Sequence, residues 1–195
     1  MSVLDMLTGN LNSLKSEVSK IDLSSVAASM NDSAHRDYIQ RDAGIEHYKL
    51  IAWIASQFQP HTVMDIGTHY GNSSLAMSLD KNAKIISYDI VEMKRLSVLP
   101  ENCDYRLGDF REDPNTMNAP FIFIDVDPHD GIQEKEFHEF FISKGYRGIT
   151  LWDDIYCNQA MKDWWNSISP THEKYKKVDL TSVGHWSGTG MIVYE

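Results

Sequence analysis

VMDIGTHYGNSS, Val63 to Ser74, decides the fold: an apolar run ends in Asp65, and small residues follow at Gly67, Gly71, Ser73 and Ser74. Residues 62–66 read as a short buried strand and 73–80 as a helix, which places the glycines in a strand-to-helix turn. Such turns hold nucleotide-type ligands, because main-chain N–H groups converge at the helix start and a missing Cβ permits close approach. The same glycines would equally serve a tight turn with no ligand, so the rest of the chain must decide.

Outward from this turn, strand-like and helical patterns alternate. Apolar runs at 62–66, 84–90, 103–107, 120–126 and 148–152 are separated by helical stretches at 73–80, 92–98, 132–144 and 156–168. Two further β-rich runs, 173–180 and 189–194, flank the Gly/Ser loop GHWSGTG and predict a closing antiparallel hairpin. The expected fold class is α/β: a doubly wound, mostly parallel sheet of seven strands, covered on both faces. Before it, Val3, Leu4, Leu7, Leu11, Leu14 and Val18 form a helical stripe, and a second helix carries Ile45, Tyr48, Ile51 and Ile54 and ends before Pro60. The polar stretch 31–44 reads as a mobile connection between the two. One domain over 1–195 is expected, with the core at 60–195 and the segment before residue 45 as either a lid or the arm of a homodimer.

Composition narrows the function. A formal charge of -10 opposes a nucleic-acid partner, since affinity for phosphate backbones comes largely from Lys and Arg. Cys103 and Cys157 are the only cysteines, so neither a disulfide framework nor a thiolate zinc site is expected, and the composition suits the cytoplasm. No apolar stretch approaches the roughly 20 residues that span a bilayer, so no membrane partner is expected.

In an open parallel sheet, ligands lie beyond the carboxyl ends of the strands. Here those ends deliver Asp65, Asp89, Asp109, the pair Asp125 and Asp127, and the pair Asp153 and Asp154. A carboxylate ending the second strand is placed to accept hydrogen bonds from vicinal ribose hydroxyls, so Asp89 is assigned to a nucleoside and Asp109 to an adenine amine. Asp65 adds negative potential at the glycine turn. That potential suits a sulfonium better than a pyrophosphate, and the dinucleotide glycine spacing is lacking, so S-adenosylmethionine (SAM) is preferred over NAD. Asp125, Asp127, Asp153 and Asp154 would repel one another unless protonated or bound to a cation. All-oxygen ligation favours a hard ion, Mg²⁺ first, with Ca²⁺ or Mn²⁺ also fitting. Alternatively, Asp127 and Asp154 cap the following helices. Around the site, Tyr38, His47, Trp152, Tyr156, Trp164, Trp165, His185 and Trp186 are candidates for an aromatic acceptor pocket, GHWSGTG foremost.

DIGTHYGNSSLAMSL resembles the first motif of class I SAM-dependent methyltransferases, in the branch typified by catechol O-methyltransferase: the middle glycine is absent at His69, and Ser73 follows the last glycine closely. FIFIDVD and LWDDIYCN are similar to that branch's metal-binding strand ends, and the Asp-x-Asp form with a later Asp-Asp is closer still to the macrocin and novobiocin type. The resemblance, over about 60–168, implies that Gly67, Ser73, Asp89 and Asp109 contact the cofactor. It also implies that Asp125, Asp153 and Asp154 ligate a divalent metal, and that Asp127 takes the proton of a small-molecule hydroxyl. Gly71 completes the cofactor turn. One departure is Pro128, where catechol-type enzymes carry a lysine; a base must then be Asp127 or a neighbour such as His129, which otherwise reads as part of a plain turn. A metal-independent methyltransferase acting on an amine and a silent SAM-binding module are the rival readings.

Overall fold

The computed structural model describes residues 3–29, 36, 39, 42–58, 61–92 and 100–195. Five strands run parallel: β1 (Thr62–Ile66), β2 (Lys84–Asp89), β3 (Cys103–Leu107), β4 (Phe121–Ile124) and β5 (Gly148–Asp153). The chain then adds β6 (Thr171–His172), β7 (Tyr175–Asp179) and β8 (Thr189–Tyr194), with β8 inserted antiparallel between β5 and β7. The sheet order is β3-β2-β1-β4-β5-β8-β7-β6, so strand order reverses between β1 and β4. The sheet has eight strands where seven are expected, because the two-residue β6 pairs along the outer edge of β7 and is too short to leave a pattern.

Helices α1 (Val3–Gly9), α2 (Leu11–Val18), α3 (Ser24–Ser29) and α4 (Asp42–Ser56) precede the sheet. The apolar stripe at the N-terminus is not one continuous helix. It breaks at Gly9–Asn10, where the Asn10 side chain accepts from the Ser13 N–H at 3.0 Å and starts α2. Leu7, Leu14 and Val18 are buried with Ile51, Ile54, Phe121 and Phe123 in the core on one sheet face. Much of the stripe is therefore buried within this chain, where α2 packs against α4. Most of the expected helix at 92–98 and most of the connection at 31–44 lie outside the described residues.

Along the strands, alternate residues serve opposite faces, as a period of two requires. Val63, Phe123 and Leu151 join the core under α4, while Met64, Ile122, Ile124 and Trp152 join a second core with Phe137, Phe141 and Trp165. That second layer is α6 (Ile132–Lys144) and α7 (Gln159–Ser167). Both ends of α6 are set by glycines in left-handed conformation, Gly131 at φ 75° and Gly145 at φ 67°, so this helix spans the residues its sequence predicts. Between β1 and β2 lies the short α5 (Asn72–Met77). Among the described residues, no helix is long and apolar enough to cross a membrane.

Inside the second core, His138 of α6 shares a 2.7 Å hydrogen bond with the Tyr194 hydroxyl. Burial, then the nearby His172, lowers its pKa to about 4. The unfolded chain therefore takes up this proton between about pH 6.5 and 4 and the folded chain does not, so acid in that window destabilises the fold. Discounted for solvent screening, the loss is on the order of 2 kcal/mol. Urea titrations should show it in the wild type and a shallower fall in His138→Gln, which keeps an acceptor for Tyr194 but does not titrate. Equal slopes for the two proteins would disprove the assignment.

Candidate active site

The carboxyl ends of β1, β2, β4 and β5 open onto a cavity of about 820 Å³ bordered by Gly67, Asp89, Asp109, Asp125, Asp127, Asp153 and Asp154. It lies where the strand order reverses, the position at which loops on either side diverge and leave a crevice. Asp65 and Ser73 are not on its wall. Asp65 is fully buried and accepts from the Ser87 hydroxyl at 2.7 Å, its register neighbour on β2. Burial raises its pKa to about 6, against the hydrogen bonds of Ser87, Ser73 and Ser74, which lower it. Ser73 is likewise buried, so this pair supports the glycine turn from beneath.

The turn does something different from what its glycines predict. The Gly67 and Thr68 N–H groups both donate to the Tyr88 carbonyl, at 2.9 and 3.1 Å, and are not free to meet a ligand. Gly67 is required by packing: at φ 94° its missing Cβ would stand 1.6 Å from the Asp125 carbonyl oxygen. The absent side chain lets β4 approach backbone to backbone. Gly71, at φ 79°, opens α5. Between them, His69 donates its N–H to Asp89 Oδ2 at 2.9 Å, while Val91 N–H donates to Asp89 Oδ1 at 3.0 Å. Each Asp89 oxygen thus accepts one main-chain bond and keeps a further lone pair. Asp109, by contrast, is committed: the main-chain N–H, Nε and Nη2 of Arg111 donate to its two oxygens at 2.5 to 2.9 Å. Those bonds hold its pKa below the usual carboxylate range. The amine acceptor expected at Asp109 is already occupied within the chain.

The floor of the cavity gathers three of the four remaining carboxylates. Ile124 pairs with Trp152, which sets Asp125 level with Asp153, and both follow the strand parity that points toward α4. Asp153 is 8% exposed and its Oδ1 has no hydrogen-bond partner among the described residues. Its Oδ2 lies 3.6 Å from His47 Nε2 of α4. Asp154 adopts φ 57° and accepts from Ser187 Oγ, with His185 Nδ1 at 3.4 Å and His129 Nε2 at 3.5 Å. Removal from water, then the neighbouring aspartates, pushes the pKa values of Asp125 and Asp153 well above the ordinary range. Burial also opposes ionisation of Asp154, but the His185 and Ser187 hydrogen bonds outweigh it and lower its value. His47 is lowered to about 3 by burial and then by His185, so it is neutral at pH 7.

Asp127 stands apart, its side chain 89% exposed. The alternation that would align it with Asp125 stops at Asp125 itself, whose N–H makes the bond to the Ile66 carbonyl one residue past β4. His129 is the opposite case. Its backbone forms the expected turn, at φ 54°, but the imidazole points inward, with Nε2 3.6 Å from Asp125 Oδ1.

His185 enters from the loop before β8. Because β8 is antiparallel and Thr189 pairs with Asp153, that loop must sit at the same rim as the end of β5. The expected closing hairpin contains this signal. The metal-type donors of Asp153, Asp154 and His185 lie within 4.8 Å of one another. A buried carboxylate oxygen lacking a partner beside two further donors fits a cation. Of the expected aromatic pocket, His47 and His185 border the cavity, whereas Trp152, Trp164 and Trp165 fill the core and Trp186 is 75% exposed. Tyr156 donates to Asp179 at 2.6 Å, and Tyr38 lies outside the described residues.

No protein-family model matches the chain. Among solved structures it is similar to the S-adenosylhomocysteine (SAH)-bound methyltransferase PaMTH1 of Podospora anserina, at 13% identity over 94% of both chains and a TM-score of 0.62. The O-methyltransferase TomG of Streptomyces achromogenes, in complex with SAM, matches at 14% identity over 100% of this chain and 99% of that one, with a TM-score of 0.59. An O-methyltransferase of Bacillus cereus in complex with SAH matches at 16% identity over 99% and 100%, with a TM-score of 0.56. The chain has the Rossmann-like fold of class I SAM-dependent methyltransferases.

Proposed function

We propose that this chain transfers the methyl group of SAM to a hydroxyl of a small molecule, with a divalent cation held by Asp125, Asp153 and Asp154. The observation carrying this reading is that one cavity joins a ribose-ready carboxylate, Asp89, to a floor lined by Asp125, Asp153 and Asp154, of which Asp153 is buried and the other two are partly exposed. Structures of the same fold that hold SAM or SAH support the cofactor assignment. A cavity of about 820 Å³ has room for a cofactor and a compact acceptor, and the charge of -10 disfavours a nucleic acid.

When bound, SAM supplies an electrophilic methyl on a sulfonium that departs as a neutral thioether. A bound cation would lower the pKa of a ligated hydroxyl. The chain's own residues do the rest. Asp89 accepts from the ribose hydroxyls while His69 and Val91 hold it in place. The aspartate floor supplies negative potential on the side where positive charge must rest. The acceptor hydroxyl, on taking the methyl group, would give up its proton to Asp127, the assigned base at the mouth.

Calorimetry with SAM, followed by SAH release over a panel of catechol-like, sugar and polyketide hydroxyls with and without chelator, tests the reading. Turnover that survives chelation would favour a metal-independent enzyme, and tight SAM binding with no acceptor methylated would favour a silent binding module. With an acceptor in hand, Asp127→Asn should lower kcat by about 100-fold or more, as loss of a general base does, with SAM affinity kept. His129, 3.9 Å from Asp127, is the other group able to take the proton. If His129→Gln carries that loss and Asp127→Asn does not, the imidazole is the base.

A further inference from the structure

The floor of the cavity is not all oxygen, and this bears on which cation it holds. His185 Nδ1 faces Asp154 Oδ1 at 3.4 Å and Asp153 Oδ1 at 3.8 Å, so the nitrogen and two carboxylate oxygens converge on one point. Adjacent ligands of a six-coordinate dication at about 2.1 Å stand about 3 Å apart, close to the separation of these atoms. Asp153 Oδ1 has no hydrogen-bond partner among the described residues, although Asp153 is only 8% exposed, while Asp154 Oδ1 and His185 Nδ1 share the Ser187 hydroxyl between them, the place a cation would take. His47, 4% exposed, closes the opposite side of Asp153.

Two consequences follow. An imidazole nitrogen is a borderline donor that suits Mn²⁺, Fe²⁺, Co²⁺ and Zn²⁺ and adds little for Mg²⁺. Mg²⁺ also dehydrates reluctantly and is usually held by one or two carboxylates with several waters, whereas three protein donors converge here. Resting on the metal-assisted reading above, we propose that His185 Nδ1 is a ligand alongside Asp153 and Asp154, and that the resident cation is a first-row transition-metal dication instead of Mg²⁺.

The test uses full-length protein stripped with chelator and titrated calorimetrically with MnCl₂ and with MgCl₂. Pulsed EPR of the Mn²⁺-loaded protein then reads nitrogen coupling. Mn²⁺ should bind at least about tenfold more tightly than Mg²⁺, and ¹⁴N coupling from one imidazole should be present. His185→Gln should lose the coupling and about tenfold in Mn²⁺ affinity while changing Mg²⁺ affinity less than about twofold, and His129→Gln should keep the coupling. Should His185→Gln not fold, coupling that survives in both His129→Gln and His47→Leu leaves His185 as the donor. Coupling absent from the wild type, or persisting in folded His185→Gln, overturns the proposal. Mg²⁺ binding equal to Mn²⁺ without nitrogen coupling ends this inference alone, whereas failure of both ions to bind ends the metal-assisted reading with it.

Discussion

Gly67→Ala should yield no folded protein. The substitution fails on two counts that do not share a remedy. At φ 94° an L-residue is in a region its own Cβ disfavours, and that Cβ would be 1.6 Å from the carbonyl oxygen of Asp125. The obstacle is backbone, so no side chain can swing aside. Neither strand can retreat: Asp125 N–H donates to the Ile66 carbonyl at 2.9 Å on one side, and Gly67 N–H to the Tyr88 carbonyl at 2.9 Å on the other. A cost above about 5 kcal/mol is expected, comparable to the whole stability of an ordinary domain. Gly108→Ala is the control, because its φ of 139° is also strained but no atom lies within 4 Å of its added Cβ. Circular dichroism and urea midpoints should show Gly108→Ala folded with a loss of about 1 to 2 kcal/mol. A Gly67→Ala protein within about 1 kcal/mol of wild type would contradict the packing argument.

Asp153→Asn should separate stability from activity. In the wild type, a carboxyl that is 8% exposed has an oxygen with no hydrogen-bond partner and two aspartates as neighbours. Replacing it with a neutral amide of the same shape removes a charge the interior does not compensate, and the metal-free protein should gain on the order of 1 to 3 kcal/mol. The same change deletes one of the few donors on the cavity floor, so methyl transfer should fall at least about 100-fold. Thermal melts in chelator and SAH release in added metal read the two effects separately. A variant that is both less stable and fully active would invert the assignment, making Asp153 a structural residue. Such opposition between stability and chemistry is expected where like charges are gathered for a ligand.

The parts of the site that sequence makes legible are those governed by local periodicity. Short apolar runs ending in Asp65, Asp89, Asp125 and Asp153 read as parallel strands, because burial on both faces leaves little room for anything polar before the rim. The helix over Ile132–Lys144 is equally plain, since Gly131 and Gly145 bracket it. Where a rule of period two is carried past the end of a strand, it misleads. β4 ends at Ile124 and Asp125 still bonds to the Ile66 carbonyl, but Asp127 lies beyond that bond and faces water.

His129 and His185 are singled out by the sequence only as a neighbour of Asp127 and as part of an acceptor pocket, and their place beside the aspartates is not written in local pattern. Each sits in a turn where left-handed or irregular backbone, not residue spacing, aims the imidazole: His129 itself is at φ 54°, and Gly188, in the loop that carries His185, is at φ 105°. His185 reaches Asp154 across 31 positions of chain only because β8 runs antiparallel beside β5. Asp109 shows the same limit from the other side, since nothing in its spacing announces that Arg111, two residues on, occupies both of its oxygens.

Composition and periodicity were enough to specify a parallel sheet, its acidic rim and the glycine turn, because those depend on neighbours a few residues apart. Which of the rim's carboxylates share one floor, which face solvent, and which histidines join them required the folded chain. Those outcomes depend on strand register, on backbone angles in loops and on elements distant in sequence, and hydrophobic periodicity encodes none of the three.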